Sequence, residues 1–160
     1  MLRINDVYQY QDLSIRILKI LSEHIVWIDI NDVKALPEII SKTELFHAIE
    51  SFEVFRIEDP FQEIALIQPE KHSTSQRKRD ENYNLIKAIV VHEQFYIPSI
   101  RSSLINEIIN NKKSTKQTIY RLLRQYWQRG QTPNALIPNY QNSGAKGNKK
   151  VASQKLGRKR

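Results

Sequence analysis

One segment near the end of the sequence has a spacing of apolar residues that is typical of a packed helix. These residues recur at i, i+3, i+4, i+7 and i+8: Ile119, Leu122, Leu123, Tyr126 and Trp127. Such a spacing places all five on one face of an α-helix, which must be buried against other elements. Ser114 and Gln117 form a capping-box pattern, and Gly130 followed by Pro133 is a stop signal. We therefore predict a helix over Ser114–Arg129, with Tyr126 and Trp127 in a core.

The rest of this helix surface is rich in hydrogen-bond donors: Lys116, Gln117, Tyr120, Arg121, Arg124 and Gln128. A second amphipathic helix is predicted over residues 99–110, with Pro98 at its start, and a polar turn at 110–113 joins the two. Two short helices in this order, the second of them basic, form a helix-turn-helix. A further helix is predicted over residues 76–91.

In a helix-turn-helix, the first part of the second helix meets base edges, and the turn meets phosphates. The residues predicted to contact DNA are therefore Lys112, Lys113, Ser114, Thr115, Lys116, Gln117, Tyr120, Arg121, Arg124 and Arg129. The alternative for this basic face is simple solvation, and trihelical units also bind proteins.

Charge is distributed unevenly along the 160 residues, whose net charge is +8. Residues 1–70 contain 6 Lys and Arg against 13 Asp and Glu, whereas residues 71–160 contain 19 against 4. No acidic residue follows Glu107. This asymmetry indicates a polyanionic partner for the second half. We expect the acidic half to face away from DNA or to contact another protomer or subunit, because its net charge disfavours phosphates.

The acidic half has the pattern of a small antiparallel sheet. Residues 14–21 and 25–30 are rich in β-branched residues and flank a short polar turn, which predicts a hairpin. Residues 37–41 are predicted to form an edge strand and residues 52–57 another strand. Ser41 precedes a predicted helix over residues 42–51.

The predicted fold class is α+β. We expect a small β-barrel-like or curled antiparallel sheet with one helix over residues 1–68 and a linker over 69–76. A trihelical helix-turn-helix domain follows over 77–132, and a basic linker or arm over 133–160. Within the arm, Lys146, Lys149 and Lys150 are predicted to add contacts to DNA phosphates.

Several function classes are disfavoured by the sequence. It contains no Cys, and its four His residues show no metal-ligand spacing, so no cofactor is expected in this chain. The adjacent acids Glu58 and Asp59 precede Pro60 and read as a turn rather than a catalytic pair. No apolar run suggests a membrane span or a signal peptide, and the expected location is the bacterial cytoplasm, at the nucleoid.

Residues Tyr120–Gly147, and most specifically "YWQRGQTPNALIPNY" at Tyr126–Tyr140, resemble TnsB, the DDE-type transposase of the TnsABC cut-and-paste transposons. Weaker resemblance extends back through residues 59–60 and 16–27. The resemblance implies sequence-specific binding to repeats in transposon ends. It also implies an RNase H-like catalytic domain that uses bound Mg²⁺, and we expect that domain to lie outside these residues.

Two hypotheses follow. In the first, the chain is the N-terminal, non-catalytic part of a transposase and binds double-stranded transposon-end DNA. In the second, it is a protein-interaction module that contacts other transposition subunits or further protomers, and its contact with DNA is non-specific.

Overall fold

The first part of the chain forms a five-stranded antiparallel sheet in the computed structural model, which describes residues 2–111 and 113–138. The strands are β1 (Val7–Tyr10), β2 (Leu13–Ile20), β3 (His24–Asp29), β4 (Glu38–Ser41) and β5 (Val54–Ile57). Their order in the sheet is β4-β3-β2-β1-β5, so that β4 and β5 lie at the edges. The predicted hairpin and the predicted edge strand are therefore confirmed.

Strand β1 was not predicted from the sequence. Its four residues, VYQY, are too few and too mixed in polarity to give a clear alternating pattern. The strand is fixed by its two neighbours, since Val7 aligns with Arg16 of β2 and with Ile57 of β5. Both pairings depend on residues outside the segment itself.

Helix α1 (Lys42–Glu50) covers one face of the sheet. The predicted cap is present, because the Ser41 hydroxyl accepts a hydrogen bond from the Glu44 N–H at 3.0 Å. Leu45 and Ala48 are buried against strand residues that include Ile17. This face forms a small core of its own.

The second part of the described chain is helical. It contains α2 (Thr74–Val90), α3 (Pro98–Asn110) and α4 (Lys116–Gln128), with short 3-10 turns at Ile64–Leu66 and Pro133–Leu136. The α+β class and the three predicted helices are confirmed. Helix α2 begins inside the predicted linker, because the Ser73 hydroxyl accepts from the Gln76 N–H at 3.1 Å and caps the helix there.

The start of the predicted arm is folded, which corrects its boundary. Ala135, Leu136 and Ile137 are buried, and the Leu136 carbonyl accepts a hydrogen bond from the Asn82 side chain of α2 at 3.3 Å. The apolar residues after Pro133 pack against the surface that α2 and α4 provide. Residues 139–160 lie outside the described part.

The helices and the sheet share one hydrophobic core. Strand residues such as Val26 and Ile28 belong to the same buried cluster as Ile89 of α2 and Leu123 and Trp127 of α4. The Trp127 ring stacks on Phe95, with 5.6 Å between the ring centroids. The core placement predicted for Trp127 is therefore observed. The division into separate domains stays a prediction, since packing is continuous across the proposed boundary.

A buried arginine joins the sheet to the end of α4. The Arg16 side chain has no solvent exposure, and its guanidinium donates two hydrogen bonds of 2.8 Å to the Asp59 carboxylate. It also donates to the backbone carbonyls of Asn5, at 2.9 Å, and Gln128, at 3.1 Å. Asp59 therefore has a structural role in the fold as the partner of Arg16.

We expect Asp59→Ala to lower the free energy of unfolding by about 3–5 kcal/mol, because it leaves the buried guanidinium without a counter-charge. Urea denaturation measures this loss. The control is Asp12→Ala, in the exposed turn between β1 and β2, for which a change within about 0.5 kcal/mol is expected. Equal losses in the two variants would contradict the role assigned to the Arg16–Asp59 pair.

A second prediction concerns Tyr126. Burial, together with the negative charge of a neighbouring Tyr83 phenolate, raises the pKa of Tyr126 to about 12. An unfolded chain ionises near the ordinary value of about 10. The stability that this difference provides is therefore complete below about pH 10 and is lost as the pH rises toward about 12.

Between these pH values, the Tyr126→Phe variant should lose about 2 kcal/mol less unfolding free energy than the unaltered protein, each relative to its own value at neutral pH. Denaturant titrations across that pH range measure the difference. Parallel profiles for the two proteins would show that the Tyr126 hydroxyl does not contribute.

Candidate nucleic-acid interface

Helix α4 begins one residue later than the sequence analysis predicted. Its N-cap is Thr115 rather than Ser114, and the Thr115 hydroxyl accepts a hydrogen bond from the Thr118 N–H at 3.2 Å. Thr115 also contacts the Thr118 hydroxyl at 3.1 Å, so that it is engaged within the helix. The correction arises because both Ser114 and Thr115 match the local pattern, and only the backbone path selects between them.

Four residues form one polar stripe along α4: Gln117, Arg121, Arg124 and Gln128. Their spacing of four, three and four residues keeps them on one side of the helix. The opposite side is buried, since Ile119, Leu122 and Leu123 have at most 1% exposure. The stripe is therefore held on a helix that cannot rotate without disrupting the core.

The C-terminal half of the polar stripe is occupied by the sheet. The Arg124 Nε donates to the Ala35 carbonyl at 3.0 Å, and the Gln128 side-chain amide donates to the carbonyls of Asp29 and Asp32, at 2.9 and 2.7 Å. These acceptors lie in and just before the β3–β4 loop (residues 30–37). No local pattern in the sequence indicates that this loop lies against α4.

The N-terminal half of the polar stripe is open. Gln117 and Arg121 are exposed, as are Lys116 beside them and Lys113 in the preceding turn. Within the part of the chain that the structure describes, none of these residues forms an ion pair. The exposed surface thus combines three positive charges with one amide, at the start of α4 and in the turn before it. We call these four residues the α4 tip.

The other predicted contact residues have different environments. Tyr120 is half-buried and packs against the core. Arg129 lies with its guanidinium carbon 5.7 Å from the centre of the Phe61 ring, and Ser114 is partly covered. Lys112, Lys146, Lys149 and Lys150 lie outside the described residues. The structure therefore brings together only Lys113, Lys116, Gln117 and Arg121, and every DNA contact stays a prediction.

Residues 2–111 and 113–138 contain no group of three or more His, Cys, Asp or Glu side chains that could hold a metal ion. No helix in them has the length and apolar character needed to cross a membrane.

Comparison with known proteins places both parts of the chain in one family. Residues 1–60 match the TnsB N-terminal SH3-like domain, and residues 79–140 match the TnsB second domain. The chain is 39% identical over 162 aligned positions to the transposon Tn7 transposition protein TnsB of Escherichia coli. The chain belongs to the TnsB family. The resemblance recognised in residues 120–147 is thereby confirmed.

The match to the Escherichia coli TnsB covers 100% of this chain and 23% of that protein. The sheet corresponds to the SH3-like domain of the TnsB family, and residues 79–90 of α2, together with all of α3 and α4, lie within the region matched by the second domain. The contacts of Arg16, Arg124 and Gln128 therefore join the two TnsB domains to each other.

The position of the N-cap gives a third prediction. Thr115→Ala should lower the free energy of unfolding by about 1 kcal/mol, because it removes the acceptor for the Thr118 N–H. Ser114→Ala should change it by less than about 0.5 kcal/mol. Urea denaturation measures the free energy of unfolding of both variants. A larger loss for Ser114→Ala would show that Ser114 is the N-cap, as the sequence analysis predicted.

Proposed function

We propose that this chain binds double-stranded DNA through the α4 tip, and that it recognises repeats in the ends of its transposon as part of a TnsB transposase. The observation that carries the proposal is the exposed half of the polar stripe, held on a helix whose other side is buried in the core. The match to a transposition protein supports the choice of DNA as the partner.

The side chains of the α4 tip suit distinct roles in such a complex. Arg121 can donate two hydrogen bonds to a guanine, and Gln117 can pair with an adenine in the major groove. Lys113 and Lys116 supply charge for phosphates, which provides affinity without sequence information. Arg124 and Gln128, which contact the sheet, orient the helix instead.

The activity of the whole transposase belongs to the same proposal. This chain would supply end recognition, and strand cleavage and joining would use an Mg²⁺-dependent catalytic domain outside these residues. Other transposition subunits and further protomers would be contacted largely through regions beyond this chain. The basic residues after 138, including Lys146, Lys149 and Lys150, would follow the DNA backbone.

We expect Arg121→Ala to reduce the preference for a duplex carrying one transposon-end repeat over a scrambled duplex, by about 1–3 kcal/mol. Fluorescence anisotropy titrations with both duplexes at two salt concentrations measure this preference. The Lys113→Ala variant should instead weaken binding to both duplexes and flatten the salt dependence.

The matched control is Arg56→Ala. Arg56 is exposed on β5 and aligns with Tyr8, on the sheet face that α1 covers and that points away from α4. It should leave both affinities unchanged. Equal binding of the unaltered protein to the two duplexes would limit the chain to phosphate contact. Absence of binding at low salt would refute DNA binding and favour the protein-interaction module.

A further inference from the structure

The β3–β4 loop contacts α4 at Arg124, which follows the α4 tip along the helix. The Ala35 carbonyl, which accepts from Arg124, lies one residue after Lys34 in the β3–β4 loop. Arg124 in turn lies three residues after Arg121, which corresponds to a rise of about 4.5 Å along the helix. The β3–β4 loop is therefore the next part of the protein along the polar stripe that a duplex bound at Gln117 and Arg121 would contact.

The exposed part of this loop has a defined conformation. Asn31, Asp32, Val33 and Lys34 are all exposed. The Asp29 carboxylate accepts from the Asn31 N–H at 2.9 Å, and the Asp32 carboxylate accepts from the Lys34 N–H at 2.8 Å. Two successive turns of this kind fix the backbone where it passes α4. The backbone position from which the Lys34 side chain extends is consequently fixed.

Lys34 carries a charge that is not neutralised by an ion pair within the ranges 2–111 and 113–138. Its four-carbon side chain places the ammonium group well beyond the loop backbone. Asp32 carries the opposite charge at the same site. A phosphate within a Debye length of about 8 Å of this part of the loop would interact with both charges.

We propose that the β3–β4 loop of the SH3-like domain lies against the phosphate backbone of the duplex that the α4 tip enters, with Lys34 as its phosphate contact. This proposal rests on the proposed function and extends the DNA-binding surface into the acidic half. That half would then not face away from DNA, as its net charge alone suggests. One of its loops would contact the phosphate backbone beside α4.

Two charge changes of opposite sign test the position of the loop. Lys34→Gln should weaken binding to repeat and scrambled duplexes alike and reduce the slope of log affinity against log salt by about 0.9. Asp32→Asn keeps an oxygen acceptor for the Lys34 N–H and removes a negative charge. It should therefore strengthen binding to both duplexes. Neither change should alter the preference for the repeat.

The matched controls are Lys42→Gln and Glu44→Gln at the start of α1, which packs on the other face of the sheet. They make the same changes of charge away from α4 and should alter neither the affinity nor the salt slope. Equal effects of the changes in the β3–β4 loop and in α1 would show that only the net charge of the protein matters, and would overturn the proposal.

The Arg121→Ala variant separates this proposal from the proposed function. If Arg121→Ala reduces the preference for the repeat while Lys34→Gln and Asp32→Asn leave the affinity and salt slope unchanged, the α4 tip binds DNA and the loop does not. If the unaltered protein fails to bind either duplex at low salt, both proposals are refuted together.

Discussion

The arrangement of this molecule depends on the buried guanidinium of Arg16. A charged group without solvent exposure requires a counter-charge and acceptors for its N–H groups. Asp59 provides the counter-charge, and the carbonyls of Asn5 and Gln128 provide further acceptors. The carbonyls in the last turn of a helix lack intrahelical partners and carry partial negative charge. One side chain thus satisfies its own requirement and joins the end of α4 to the sheet.

The elements that local patterns determine could be predicted, and those that distant partners determine could not. The hairpin of β2 and β3, the Ser41 cap and the stripe of α4 each depend on residues within one short segment. Strand β1 exists because Val7 pairs with Arg16 and Ile57, and no property of VYQY reveals that pairing. The packing of Leu136 under α2 likewise depends on a surface formed by residues more than fifty positions earlier.

The same distinction applies to the candidate site. Sequence periodicity identified which side chains of α4 are polar, and it correctly put Gln117 and Arg121 on one side of the helix. It could not show that backbone carbonyls of a loop some ninety residues earlier accept hydrogen bonds from Arg124 and Gln128. A polar side chain of α4 thus either contacts the sheet and its loop, as Arg124 and Gln128 do, or stays exposed. Only the folded structure shows which.

The charge asymmetry of the chain has a different meaning in the folded protein. Opposite net charges in the two halves suggest that only the basic half is suited to a polyanion, yet in the folded protein the acidic sheet touches the basic helix directly. The donors of α4 meet backbone carbonyls of this acidic half, and the attraction between opposite net charges favours the contact. Under the proposed function, a helix fixed at its far end in this way would lose little conformational freedom on binding DNA, which would increase affinity. If α4 binds DNA as proposed, the acidic domain would support that binding by holding α4 in place.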